Sequence, residues 1–408
     1  MINYKNNFNA ILIFLLIPAL ISGLFLPNLI LFILLIYNLI FFRKELIIIF
    51  YEEKKVCLLF ISFSIILIFS SFLSVNRYHS FESSALYFFF LIYSISLISF
   101  LSYRKNRIYF LYFSVFIFLV LSIDAIYELI NGQNIFGYSS IEGRIAGLFN
   151  DRWLIGRYLV YFLPLFIGIF FIEHKYISKL LRIFIVTSLV FSTFTILFSG
   201  ERAAFLLFSI YCVLCLFFLF NKIKIYKSLL GILILSIVLI IPFLFQETSQ
   251  RLFDNFFIYL TSMDLEKNPY YTMWITALNI FKENILFGSG PNNFRFYCMN
   301  DLYKLSNLSC STHPHNIIFQ LLSEIGVIGF SYILALFIFL SYSLLKLIFS
   351  KKLNIEYFGY YSIMLTPMIQ LFPFMISGNF FLSWYGIIYY MSISFLFIYK
   401  KDLFKVIN

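Results

Sequence analysis

The sequence predicts an all-α polytopic integral membrane protein, with about twelve transmembrane helices and one large folded loop on the non-cytoplasmic side. Three observations predict it. Of 408 residues, 62% are apolar and 12% charged, whereas soluble domains carry about 25% charged residues. The apolar residues run in long blocks, such as Val56 to Ser74 and Leu229 to Phe245. About 20 such residues cross a hydrocarbon core as a helix, and nothing alternates as a barrel strand would. Third, the basic residues cluster between the blocks, at Arg43/Lys44/Lys54/Lys55, Arg104/Lys105/Arg107, Lys175/Lys179/Arg182, Lys222/Lys224/Lys227, Lys351/Lys352 and Lys400/Lys401/Lys405. That is the positive-inside pattern. The net charge of +11 therefore reads as membrane topology, and no nucleic acid is expected as a partner.

Taken in order, the spans fall near 9–26, 28–42, 56–74, 84–101, 108–130, 154–172, 180–199, 203–220, 228–245, 327–348, 357–376 and 380–399. With Lys5 inside, the connections alternate sides, both termini are cytoplasmic, and most Lys and Arg residues lie inside. No small-residue cleavage site follows the first apolar stretch, so it reads as a retained span and not a signal peptide. Residues 1–408 form a single transmembrane domain, into which a loop at 246–326 is inserted between the ninth and tenth spans. Its first stretch, 246–315, is about 70 residues long, and connections of that length tend to be functional or disordered. Trp274, Phe281, Leu286 and Phe287 are near helical spacing, and Gly288 to Pro291 follows. The loop is therefore expected to fold, as helices lying on the bilayer. There are no heptads and no internal repeat.

Four outer segments carry possible chemistry. In Leu197-Phe-Ser-Gly-Glu-Arg-Ala-Ala-Phe-Leu206, Arg202 stands at the mouth between two spans. A boundary charge is either a site residue or an anchor that snorkels to headgroups. In Ser311-Thr-His-Pro-His-Asn316, Thr312 or His313 is expected to cap a helix with Pro314 in its first turn. His315 would then sit near the positive helix end, a setting suited to a diphosphate. Gly326 and Gly329 would let that helix approach its neighbours closely. A metal at His313 and His315 lacks accompanying ligands at convincing spacing. Gly143 to Arg157 carries Arg144, Arg152 and Arg157, which are either phosphate forks or solvated loop charges. Phe287 to Cys298 adds Arg295. Cys298 and Cys310 share the outer loop, as a disulfide in an oxidising compartment or as two thiols. Asp124 and Glu128 share a helix face near its outer end and are read as lining an aqueous vestibule.

These segments together resemble the O-antigen ligase and polymerase superfamily of bacterial envelope glycosyltransferases. An Arg-x-x-x-Leu pattern is met by Arg202 and Leu206. A His-Asn pattern followed by Gly-x-x-Gly is met by His315, Asn316, Gly326 and Gly329. The resemblance covers roughly residues 140–395 and weakens over the first four spans. The stretches Gly143 to Gly156, Ser199 to Phe205 and Phe294 to Cys298 look more like the polymerase branch. Ligase-like members often place an arginine four residues before the loop tryptophan, where this chain has Tyr270 before Trp274. A second arginine would then be Arg251 or Arg295, or be absent.

The resemblance implies transfer of an undecaprenyl-diphosphate-linked glycan to a sugar hydroxyl, on lipid A–core or on the next repeat unit, in lipopolysaccharide or surface-polysaccharide biosynthesis. It implies a site on the periplasmic face of the bacterial inner membrane, with membrane lipid as surroundings and no cofactor or metal. His315 would be the catalytic base, Arg202 the principal diphosphate partner, and Arg295, Arg251 and Arg144 further diphosphate-binding residues. The alternative is a flippase of lipid-linked oligosaccharides or another polysaccharide transporter. Such proteins carry charges near mid-bilayer and paired half-helices. Here the charges gather at the outer surface. A scaffold for envelope assembly would not explain a His and an Arg delivered by separate elements.

Overall fold

The computed structural model describes residues 2–140, 143–150, 152–220, 268–349 and 355–399, and every structural statement below concerns these residues. They are helical throughout, apart from turns and one isolated bridge between Gln133 and Ser139. We label the helices α1 (Ile2–Ala19), α2 (Phe25–Phe41), α3 (Arg43–Glu52), α4 (Lys54–Phe72), α5 (Arg77–Leu101), α6 (Arg104–Asn131) and α7 (Ile155–Glu173). The remainder are α8 (Lys179–Phe198), α9 (Arg202–Phe220), α10 (Pro269–Glu283), α11 (Phe294–Tyr297), α12 (Ile317–Phe349), α13 (Ile355–Gln370) and α14 (Ser383–Ile398). The expected span at 228–245 and Arg251 lie outside the described residues.

Seven of these helices are long and apolar enough to cross a membrane, or eight if α2 and α3 count as one bent span. Sequence blocks predicted more for a reason of length. The apolar part of α1 is Asn7–Ala19, and α13 and α14 have 16 residues each. A full crossing takes about 20. The charged connection after the second span is itself helical, since α3 follows α2 at a 94° bend.

The chain forms two compact units. The first comprises 1–100, 262–339 and 371–394, and the second 101–261, 340–370 and 395–408. The first unit contains a small core of its own, built from Met273, Ala277, Ile280, Phe294, Tyr297 and Cys298. Asn268 starts α10, with Oδ1 accepting from the amides of Tyr270 and Tyr271 and Pro269 at the first helical position. That is the side-chain cap plus a residue whose missing N–H costs nothing there. In the second unit α7 is the central helix, with fifteen of its residues buried, and it packs against α13, α8, α6 and α9. At the other end of α7, Glu173 accepts from Arg107 Nε at 2.7 Å and from Tyr399 at 2.9 Å, with Arg104 Nε at 3.3 Å. Two guanidinium groups and a phenol offset the cost of burying that carboxylate.

The break in α12 falls at Gly326, with φ 64° and ψ −173°. A Cβ there would lie 2.3 Å from the Leu286 carbonyl oxygen. The absence of one lets the segment after α10 pair with the broken helix through Val327 N to Ile285 O and Ile328 N to Leu286 O, at 2.8 and 3.2 Å. Close approach at Gly326 is thus a backbone-to-backbone seam. At Gly329 the three atoms nearest to an added Cβ are side-chain atoms of Ile325 in the same helix.

Candidate functional site

In the second unit, three sequence-distant arginines are built around one turn. Gly200 has φ +69°, and a Cβ on it would lie 2.1 Å from the Gly143 carbonyl oxygen. The connection carrying Arg144 therefore lies directly on the turn that carries Glu201 and Arg202, and Ile145 N donates to Ser199 O at 3.2 Å. The same connection is held from below by α6. Glu128 accepts from the amides of Ala146 and Gly147 at 3.2 and 2.6 Å, and Asp124 accepts from Ile135 N at 3.0 Å. Asn134 Nδ2 adds a bond to Gly147 O at 2.7 Å. Asp124 and Glu128 are 0% and 1% exposed, so they do not line a vestibule. Their carboxylates satisfy the buried amides of a loop, the role of a cap supplied by another element.

Glu201 plays a similar part for α7. Leu154 occupies the N-cap position of that helix and has no side chain to cap with. Glu201 supplies the missing acceptor, with Oε1 receiving Gly156 N at 2.7 Å and Arg157 N at 3.4 Å. Those are amides that a helix start leaves unsatisfied. Burial pushes the Glu201 carboxyl up to about 7, against the charges of Arg157 and Arg144 and the two amides, which pull it down. Arg202 is the first residue of α9. A cation at a helix N-terminus opposes the macrodipole by a few tenths of a kcal/mol, so helix stability does not account for it. Arg144 is half-buried with Cζ 5.1 Å from the centre of the Trp153 ring. This cation–π contact orients the guanidinium and argues against a freely solvated loop charge. The sequence motifs singled out Arg202 and Arg144 and passed over Glu201. Its signal, an acid inside an otherwise apolar-and-arginine turn, was visible.

In the first unit the segment before α12 carries two histidines. Their helix does not start where the sequence suggested. It begins at Ile317, and Asn316 is the cap, its Oδ1 accepting from Ile318 N and Phe319 N at 2.9 and 3.4 Å. Asn is a better cap than Thr or His, and Nδ2 of the same side chain bonds Pro373 O at 2.9 Å. Pro314 and His315 therefore precede the helix. His315 adopts φ +54°, a left-handed conformation that is uncommon outside glycine and marks functional or strained positions. Its carbonyl accepts Ser377 N at 2.9 Å and its Nε2 lies 3.2 Å from Ser311 Oγ. Tyr270 meets the ring edge-on at 5.9 Å. His313 is tethered at both ring nitrogens, Nε2 donating to Ser377 O at 3.2 Å and Nδ1 accepting from Thr312 Oγ1 at 2.9 Å.

Cys298 and Cys310 are placed as a disulfide pair, with Cα atoms 5.1 Å apart. Between them and α5 runs a relay of amides. Glu324 Oε2 accepts from Gln320, Gln320 donates to Asn379 Oδ1 at 2.6 Å, and Asn379 donates to Asn292 Oδ1 at 2.7 Å. Asn292 Oδ1 also accepts from Arg295 Nη2 at 2.9 Å, and its Nδ2 donates to His79 Nε2 and Ser83 Oγ. Arg295 keeps its Nε buried without a hydrogen-bond partner among the described residues. His79 and Ser83 belong to the N-terminal helices, where no sequence motif pointed. His315 and Arg295 thus belong to the first unit, Arg202 and Arg144 to the second.

Residues 187–334 match the family model described as O-antigen ligase. The matched window holds Arg202, Leu206, Arg295, His315, Gly326 and Gly329, and excludes His79, Arg144 and Arg157. No curated protein matches the chain.

Proposed function

We propose that this chain, which belongs through residues 187–334 to the O-antigen ligase and polymerase superfamily, transfers a glycan from a polyprenyl diphosphate carrier to a sugar hydroxyl. The observation that carries the reading is the arginine turn, with Arg144 and Arg157 acting on Glu201 and Arg202 next in the chain. A diphosphate leaves readily once its developing charge is neutralised, and fixed guanidinium groups do this without reorganising. In the step proposed, the acceptor oxygen forms the new bond to the anomeric carbon. The bond from that carbon to the phosphate oxygen breaks, and the diphosphate carries away the electron pair. The acceptor proton passes to His315, an imidazole being the side chain most often used as a general base. Arg295, whose Nε has a donor to spare, would bind a phosphate or sugar oxygen.

An apolar groove supports the lipid side of the reading. It has a volume of about 570 Å³ and is lined by Leu197 and Phe198, next to the arginine turn, and further along by Val190, Val186, Phe171 and Phe358. Residues 186–198 of α8 cover roughly 18 Å of helix, room for several isoprene units of the carrier. The acceptor would be lipid A–core in a ligase or a lipid-linked repeat unit in a polymerase, on the periplasmic face of the inner membrane.

The test is a gel of envelope glycans from a deletion strain complemented with wild type, His315→Ala or Arg202→Ala, with membrane abundance checked by blot. Core bearing one repeat unit in the variants assigns a polymerase, and bare core with long chains left on the carrier assigns a ligase. Wild-type glycan in both variants, at normal abundance, removes the proposal.

A further inference from the structure

Glu201 is 7% exposed, sits between the arginine turn and the start of α7, and has no part in the chemistry proposed above. We infer that Glu201 is a proton-linked positioning residue of the diphosphate site, taking up a proton when the lipid diphosphate binds and releasing it when the site empties. The inference rests on the proposed donor chemistry and adds the group that balances its charge.

The geometry argues it in three steps. The carboxyl is fixed, because Oε1 accepts from Gly156 N and its own amide donates to Ser199 Oγ at 3.3 Å. It cannot swing away when an anion arrives. The charged groups that act on it are Arg157 from α7 and Arg144 from the loop over the turn, and Arg202 follows it in the chain as the first residue of α9. From α6, Glu128 is engaged with the Ala146 and Gly147 amides of that same loop. With the site empty, an ionised Glu201 offsets part of the arginine charge. A diphosphate diester brings two negative charges to the same guanidinium groups, and like charges at short range disfavour the ionised carboxyl. Protonation removes that repulsion and keeps the cap, since a neutral carboxyl still accepts from Gly156 N through its carbonyl oxygen. Burial already holds Glu201 near the point where this exchange is easy, at about 7.

Binding that takes up a proton strengthens as pH falls, so the donor KM is flat below about pH 7 and rises by up to tenfold per unit above it. The experiment measures KM and kcat for a short-chain polyprenyl-diphospho-N-acetylglucosamine in detergent between pH 6 and 8.5. Glu201→Gln keeps the acceptor for Gly156 and removes the proton, so it should flatten KM while leaving the pH dependence of kcat as in the wild type. An unchanged KM slope in Glu201→Gln overturns the inference. Should that variant not fold, proton uptake is measured with an indicator dye on His315→Asn, which binds donor without turning it over. Both phosphates of the diester hold fixed charge in this range, so any uptake belongs to the protein. About half a proton at pH 7 supports the inference and none overturns it. Wild-type surface glycan in His315→Ala and Arg202→Ala would instead sink the donor chemistry itself, so the two failures are distinct.

Discussion

Asn292 donates its side-chain amide to Nε2 of His79, 213 residues earlier in the chain, at 2.9 Å. Because the opposite end of the same amide accepts from Arg295 and Asn379, its orientation is fixed and His79 is an acceptor at Nε2. Asn292→Leu would strand Arg295, Asn379, His79 and Ser83 together. Each lost partner in a buried setting costs about 1–3 kcal/mol, so the variant should be barely detectable in membranes. Asn292→Asp, which still accepts from Arg295 and Asn379, should accumulate better. Equal abundance of Leu and wild-type forms would show that the relay does not hold the loop.

His315 adopts a left-handed backbone, φ +54°, and glycine does so without penalty. His315→Gly should therefore unfold at least as late as His315→Ala, by about 1 kcal/mol, and be equally inactive. Thermal unfolding in detergent with a transfer assay checks both halves. Lower stability for Gly than for Ala would mean that the turn is not strained.

Gly326 and Gly329 should part company on substitution. A methyl at Gly326 meets the Leu286 carbonyl and a positive φ, whereas one at Gly329 meets the side chain of Ile325. Gly326→Ala should lose most of its folded protein on solubilisation, and Gly329→Ala should cost no more than about 1–3 kcal/mol. Comparable yields would contradict the seam between 285–286 and 327–328.

Stability should fall as pH rises from about 4.5 to 7. Glu201 has a folded value near 7, above its ordinary carboxylate value of 4.5. The folded state thus holds the proton more tightly, and the contribution is complete below the unfolded value and lost on passing the folded one. The full swing is on the order of 3 kcal/mol. Chemical unfolding of substrate-free protein at pH 4.5, 6 and 7.5 measures it. Glu201→Gln should remove that share of the slope.

Chelation should leave transfer intact. His313 spends one ring nitrogen on Ser377 and the other on Thr312, so it has none to give a metal beside His315. Loss of activity in EDTA with recovery on adding a divalent ion would reverse this.

Periodicity and composition revealed the helices, because block length and loop charge are local properties. The start of a span after Gly326 and the turn at 200–202 were legible for the same reason. What joins distant residues was not. His79 carries no motif, and its role comes from Asn292 folding back onto α5. The carboxylates of Asp124 and Glu128 read as lining an aqueous vestibule, since a helix face tells which way two acids point and not that a loop covers them. The cap of α12 was misplaced by three or four residues because Thr312, His313 and Asn316 all qualify locally. The turn through Ser377 and Pro373 decided in favour of Asn316.

The pairing of Cys298 with Cys310 reaches beyond stability. Cys298 Sγ lies 3.8 Å from the Ser311 carbonyl, and the hydroxyl of that serine touches His315. A newly made chain whose loop stays among reduced thiols lacks this brace. Delivery of the loop to an oxidising compartment then doubles as a maturation step. Under the function proposed above, a chain inserted the wrong way round would hold every residue of that chemistry without this brace, which would keep carrier lipid from being spent on the wrong side of the membrane.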